Sequence, residues 1–222
     1  GQIMDLLKEL KIDDDTIVFI CGDNGGNTYF ANKTHPHGFF GPNVHPKTGK
    51  VFRGRKGLLY EGGLRIPFIV GWPGRIKAGV VNKHLGYFPD IMPTLAELAG
   101  VDCPDDVDGI SILPTLLGKS AAGHEQKEHE YLYWEYAGQT AVRWGNWKAY
   151  KPRKGDWELY DLSRDIEEKN NIAAQNQKTL AKMISFAEQS HTPHIPGEIL
   201  NEQLCMKDHT KAKNPKPSER RR

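Results

Sequence analysis

Ile17-Val18-Phe19-Ile20-Cys21-Gly22-Asp23-Asn24-Gly25-Gly26 opens the stretch whose reading decides the fold. Phe52-Arg53-Gly54-Arg55-Lys56-Gly57-Leu58-Leu59-Tyr60-Glu61-Gly62-Gly63-Leu64-Arg65-Ile66-Pro67 closes it. Residues 16–21 are β-branched and apolar, with the length and composition of a buried strand. The Asp23-Asn24 step therefore stands where a strand stops, at the kind of sheet edge where open α/β folds bind ligands. Adjacent strand residues point to opposite faces, so two neighbours reach one ion only if the backbone turns between them; the flanking glycines permit that turn. A carboxylate and an amide carbonyl are hard oxygen donors, suited to Ca²⁺ or Mg²⁺ rather than Zn²⁺. An Asx-type turn after a strand uses the same residue types without any ion, and the stretch alone leaves both readings open.

Upstream, Ile3, Leu6, Leu7 and Leu10 fall on one helical face that ends before Asp13-Asp14-Asp15. Helix, acidic turn and strand make half of a βαβ unit whose first strand is not in the chain, so a truncated α/β sheet is expected. Between the two fixed points, residues 27–50 are polar, interrupted by Pro36, Pro42 and Pro46, and without helical or strand period. They read as a long loop, either solvated or lining a pocket, with His37 the candidate for a substrate contact. His35 and His37 lack the third and fourth ligands of a zinc site. Lys56, flanked by Gly54 and Gly57, is a compact ammonium suited to a tetrahedral oxyanion, and equally an ordinary basic turn. Glu61 and Arg65 are expected to hold the Gly62-Gly63 turn by an ion pair or backbone hydrogen bonds. Arg53 and Arg55 are expected to face solvent or anchor the loop.

Downstream, residues 67–72 read as a second buried strand closed by Pro73-Gly74. Residues 90–99 read as a helix with Asp90 at its N-cap, Pro93 in its first turn and Gly100 beyond its end. Residues 102–109 carry four aspartates, but an EF-hand alignment puts Pro104 at the first ligand and Thr115 at the bidentate glutamate, so this is a surface turn. Composition shifts after Gly118, dividing the chain into an α/β part (1–118), a smaller part (119–206) and a basic, disordered tail (207–222). The smaller part holds four short aromatic-rich strands within residues 131–161, with Gly145-Asn146 as a hairpin turn and Trp144 and Trp147 as core. Leu180, Met183, Ile184 and Ala187 mark a helix that covers one face of that antiparallel sheet.

The chain has 222 residues and a formal net charge of +2, so charge balance points to neither nucleic acid nor an anionic membrane as partner. No apolar run approaches the roughly 20 residues that span a bilayer. Three cysteines without metal-ligand spacing argue against a disulfide framework, and Cys21 is expected to be buried in its strand. The opening Gly1-Gln2-Ile3-Met4-Asp5 has no targeting signature and reads as internal to a longer protein.

Taken together, Asp23-Asn24-Gly25 after a strand, Phe52-Arg53-Gly54-x-Lys56 and Glu61-Gly62-Gly63-x-Arg65-x-Pro67 resemble the C-terminal half of the sulfatase family, in the alkaline-phosphatase-like superfamily. Trp72-Pro73-Gly74, Asp90-Ile91-Met92-Pro93-Thr94-Leu95, Leu98-Ala99-Gly100, Asp108-Gly109-Ile110-Ser111 and Glu158-Leu159-Tyr160-Asp161-Leu162 match in the same order. The resemblance implies an arylsulfatase-like hydrolase of sulfate esters. It assigns Asp23 and Asn24 to a Ca²⁺ site, with Mg²⁺ as the alternative, and Lys56 to a contact with the sulfate. The family's nucleophile is a formylglycine made from a Cys or Ser in a Cys/Ser-x-Pro/Ala-x-Arg motif, and neither Cys21, Cys103 nor Cys205 lies in such a motif. The partners implied are a sulfated small molecule or sulfated carbohydrate and the missing N-terminal half, without which the chain is expected to be inactive. The family's compartments are periplasmic, extracellular or lysosomal. A phosphodiesterase or phosphonate hydrolase of the same superfamily is one alternative, because phosphoryl and sulfuryl groups share tetrahedral geometry. A non-catalytic, metal-stabilised carbohydrate-binding protein is another.

Overall fold

Apolar residues spaced by three and four wind the first helix, α1 (Gln2–Glu9), as the pattern predicts. The computed structural model describes residues 1–27, 33–34 and 41–193; His37, Cys205 and the basic tail from 207 lie outside the described residues. Residues Gly1–Ala187 form one compact unit, and a second, Glu188–Arg222, is described only as far as residue 193. No helix among the described residues is long and apolar enough to cross a membrane.

The first strand, β1 (Val18–Cys21), pairs antiparallel with β2 (Phe68–Gly71), in a register that sets Val18 opposite Gly71 and Cys21 opposite Phe68. The sequence predicts buried strands, and that expectation needs correction. Ile20, Cys21, Phe68 and Ile69 are exposed, because β1 and β2 form a two-stranded ribbon that no other described strand joins. The same holds for α1, which buries none of its residues and leaves Ile3 73 % exposed. No parallel pair occurs among the described strands.

A single turn of helix, α2 (Glu61–Leu64), precedes β2. Helix α3 (Ile91–Ala99) ends on Gly100 in the left-handed region, as a C-terminal glycine signals. Its start differs from expectation. Asp90 occupies the N-cap position, but its side chain does not cap α3; it closes a preceding 3₁₀ turn, Phe88–Asp90, instead. Its buried carboxylate accepts the amides of Tyr87 and Ile110, each at 2.9 Å, and pairs with His129 Nε2 at 2.8 Å. Two short helices follow, α4 (Leu113–Leu117) and α5 (Lys119–Ala122), the second forming where the polar run begins.

The second sheet is an antiparallel meander of β3 (Leu132–Tyr136), β4 (Gln139–Trp144), β5 (Trp147–Lys151) and β6 (Glu158–Asp161). Gly145 and Asn146 form the two-residue turn between β4 and β5, with Trp144 opposite Trp147. Strand alternation divides the core between two faces. On one, Ala141, Tyr150 and Tyr160 pack with Leu59 and Tyr60; on the other, Val142, Ala149 and Leu159 pack with Met183, Phe186 and Ala187. These last three belong to α6 (Gln177–Ser190), the helix expected to cover the sheet, and Trp144 and Trp147 pack against that second cluster as expected. The first face matters for function, because Leu59 and Tyr60 directly follow the Lys56 loop.

Candidate functional site

Three backbone segments meet at the end of β1. Gly22 N–H extends the β1–β2 ladder to the Pro67 carbonyl at 3.2 Å, and the chain then turns through Asp23 and Asn24. Beyond the turn, Gly25 N–H donates to Gly63 O at 3.0 Å and Gly26 N–H to Gly62 O at 3.1 Å. Gly26 O in turn accepts Lys56 N–H at 2.8 Å. The Asp23-Asn24 turn, the Lys56 loop and α2 are therefore stitched together by main-chain hydrogen bonds.

That stitching needs bare backbone. A Cβ on Gly25 would lie 2.1 Å from Gly62 O, and one on Gly63 would lie 1.9 Å from Leu58 O, distances no side chain tolerates. The sequence places glycines at these steps, and the close approach is the physical reason. Asp23 and Lys56 are exposed and Asn24 is half-buried. Among the described residues no three His, Cys, Asp or Glu side chains converge on a point where a metal ion would sit. His37, the remaining candidate, lies outside the described residues.

Beneath the junction lies a network of buried charge. Glu61 accepts Arg65 Nε at 2.6 Å, the ion pair expected from the sequence, and also Lys148 Nζ at 2.8 Å and Arg143 NH1 at 3.2 Å. Burial alone would push the Glu61 carboxyl up, but Lys148, Arg65 and Arg143 outweigh it and hold it down at about 2. Glu168 lies alongside: its Oε2 accepts Glu61 N–H at 2.7 Å, and its Oε1 is 3.5 Å from Lys148 Nζ. Burial raises the Glu168 carboxyl to about 7, with Lys148 pulling it down and the neighbouring Glu61 charge pushing it up. Arg53 anchors the loop, as one of its two expected roles required. Its NH1 donates to Tyr160 Oη and to the Glu168 carbonyl, both at 2.8 Å, and its guanidinium lies 4.0 Å over the Tyr60 ring.

Sequence reasoning missed Asn43, Lys148 and Glu168. Asn43 Nδ2 donates to Gly62 O at 3.0 Å and to Arg65 O at 2.6 Å, spanning the two ends of the α2 turn. For Lys148 one signal was present: a lysine in a strand position that shares its face with Tyr150, where an apolar residue is the rule. For Asn43 and Glu168 nothing in the local pattern differs from an ordinary turn.

The chain matches the family model described as "N-sulphoglucosamine sulphohydrolase, C-terminal" over residues 52–190 and the model described as "Sulfatase" over residues 1–101. It is 31 % identical to an uncharacterised sulfatase of Schizosaccharomyces pombe over 84 % of this chain and 39 % of that protein. It is 33 % identical to an N-acetylgalactosamine-6-O-sulfatase of Bacteroides thetaiotaomicron over 86 % of this chain and 39 % of that one. A solved structure from work on the metabolism of multiple glycosaminoglycans by Bacteroides thetaiotaomicron superposes with a TM-score of 0.63 at 29 % identity, covering 85 % of this chain and 41 % of that one. This chain thus spans about two fifths of the length of these two relatives.

Proposed function

We propose, from the premise that this chain belongs to the sulfatase family, that it is the C-terminal portion of an enzyme hydrolysing sulfate esters of carbohydrates. The observation that carries the reading is the hydrogen bond from Lys56 N–H to Gly26 O, which joins the Lys56 loop to the Asp23-Asn24 turn. The Asp23 carboxylate and the Asn24 amide oxygen would hold Ca²⁺, or Mg²⁺ in its place. Their chemistry fits a hard cation, but two donors fall short of the about six to eight oxygens that Ca²⁺ takes, so the remaining ligands would come from outside this chain. A cation bound there supplies positive charge toward the sulfuryl oxygens. Lys56 adds a compact ammonium that binds and orients the sulfate, a preorganised contact that strengthens as charge shifts in the transition state. The attacking group is also absent from this chain, since none of its cysteines or serines begins a Cys/Ser-x-Pro/Ala-x-Arg motif.

The partner in this reading is the N-terminal half of the same protein. Two facts support it. The relatives are more than twice as long, and the apolar side chains Ile3, Ile20 and Ile69 stand exposed on α1, β1 and β2, where added strands and helices would cover them. The N-acetylgalactosamine sulfate ester named for one relative supports a sulfated sugar as substrate.

The purified 222-residue chain is expected to show no turnover of a chromogenic aryl sulfate. Turnover that Lys56→Ala abolishes would overturn the proposal. In the protein completed by its N-terminal half, Asp23→Ala should weaken calcium binding more than Asn24→Ala. The first substitution removes a formal charge, whereas the second removes a neutral dipole that water partly replaces. Equal or reversed losses in a calcium titration would contradict the ligand assignment.

A further inference from the structure

Lys148 and Glu168 belong to the C-terminal side of the molecule, 87 and 107 residues beyond Glu61, and nothing in the proposed chemistry uses them. Yet the Lys148 side chain is fully buried and reaches Glu61 Oε1 at 2.8 Å, while Glu168 Oε2 accepts the Glu61 amide at 2.7 Å. A buried ion pair is weak ground for stability, because desolvation offsets most of its attraction; its best-attested use is to fix one arrangement over others. The arrangement fixed here is the α2 turn. Gly62 O and Gly63 O, the two carbonyls directly after Glu61, are the acceptors for Gly26 and Gly25 on the far side of Asp23-Asn24. Gly26 O then accepts the amide of Lys56.

We infer that Lys148 and Glu168 are positioning residues: they clamp Glu61 from its carboxylate and its amide, and the turn so held sets the backbone of both the Asp23-Asn24 step and the Lys56 loop. This rests on the proposed roles of Asp23, Asn24 and Lys56. It adds that the four-stranded sheet, remote in sequence, is part of what aims them. Lys148 enters from β5, and Arg143 from β4 makes a secondary contact with the same carboxylate. Among the described residues their ion pairs reach Glu61 and Glu168, and their influence on the Asp23-Asn24 turn passes through the α2 backbone.

The test is amide hydrogen exchange in the full 222-residue chain, resolved by residue with NMR. Lys148→Met keeps the length and removes the charge. It is expected to speed exchange of the Gly25, Gly26 and Lys56 amides by at least roughly tenfold. The Leu162 and Ile172 amides, bonded at 2.9 Å to Asn146 O and Leu159 O within the C-terminal sheet region, should change by less than about twofold. A residue that merely adds to global stability would move all five amides by one factor, and that result overturns the inference, as does no change at Gly25, Gly26 and Lys56. Should Lys148→Met fail to fold, Glu168→Gln provides the second variant. It keeps an acceptor for the Glu61 amide and replaces the carboxyl 3.5 Å from Lys148 Nζ by a neutral amide, so the same selective pattern is expected at smaller amplitude, and uniform exchange again overturns the inference. The readout needs neither metal nor substrate. It therefore fails separately from the functional reading, which unchanged kinetics in Lys56→Ala would overturn.

Discussion

The four-stranded meander and the β1–β2 ribbon are both antiparallel, yet the first is covered on both faces and the second is not. Ala141, Val142, Ala149 and Leu159 in the meander are completely buried, whereas Ile20 and Ile69 in the ribbon are 55 % and 59 % exposed. The cause is what packs on each. One face of the meander receives Leu59 and Tyr60, and the other receives α6. A two-stranded ribbon has two open edges and too little area to bury its own side chains. The difference teaches that the candidate site draws its rigidity from one direction: the Lys56 loop and α2 rest on the meander, and the Asp23-Asn24 turn hangs from α2.

The comparison breaks most readily at Leu159. Leu159→Ala should destabilise the chain by about 2–5 kcal/mol in urea unfolding, because the cavity opens in a core closed on both sides. A loss below about 1 kcal/mol would mean that the meander is not the self-sufficient half. The next effect concerns Glu168. Its folded value of about 7 lies above the ordinary 4.5, so the folded state keeps a proton that the unfolded chain gives up. The stability this contributes is complete below about pH 4.5 and is lost as pH rises through 7. Glu61 has the opposite sign: held at about 2, it stabilises above pH 4.5 and loses that contribution as pH falls toward 2. Melting temperature should therefore decline between pH 4.5 and 7 in the parent, by the equivalent of on the order of 1–3 kcal/mol, and the decline should flatten in Glu168→Gln. Parallel profiles for the two proteins would show that Glu168 does not titrate in that window. The smallest effect belongs to the ribbon. Ile69→Thr should change stability by no more than about 0.5 kcal/mol, as exposed positions do. A loss like that of Leu159→Ala would erase the contrast between the two regions.

Much of this layout was legible in the residues. The β-branched run at 16–21 made a strand, Gly145-Asn146 made a hairpin turn, and the spacing of Leu180, Met183 and Ala187 gave the covering helix. The Glu61–Arg65 pair, four residues apart, was also within reach of local reasoning. Burial of β1 and β2 was not, because hydrophobic pattern reports what a strand needs and not whether a neighbour is present in the chain. Asp90 misled for a related reason. A carboxylate before a helix signals a cap, but here Ile110 and His129, 20 and 39 residues away, claim it. The clamp on Glu61 is likewise a contact between distant residues, for which neither period nor composition carries a signal.

Kinetics of Lys56→Ala and Lys56→Arg should be measured on a sulfate ester in the protein completed by its N-terminal half, alongside melting temperature and calcium content. Lys56→Ala should lower kcat/KM by roughly two to four orders of magnitude, the scale of losing one preorganised contact to a transition state. Lys56→Arg should also be impaired, because a planar fork does not replace a point charge between Gly54 and Gly57, which are both held at positive φ. Melting temperature and calcium content should stay at parental values in both variants. Near-parental kinetics in the two variants, or losses that track a fall in melting temperature, would contradict the assignment of Lys56 to the sulfate.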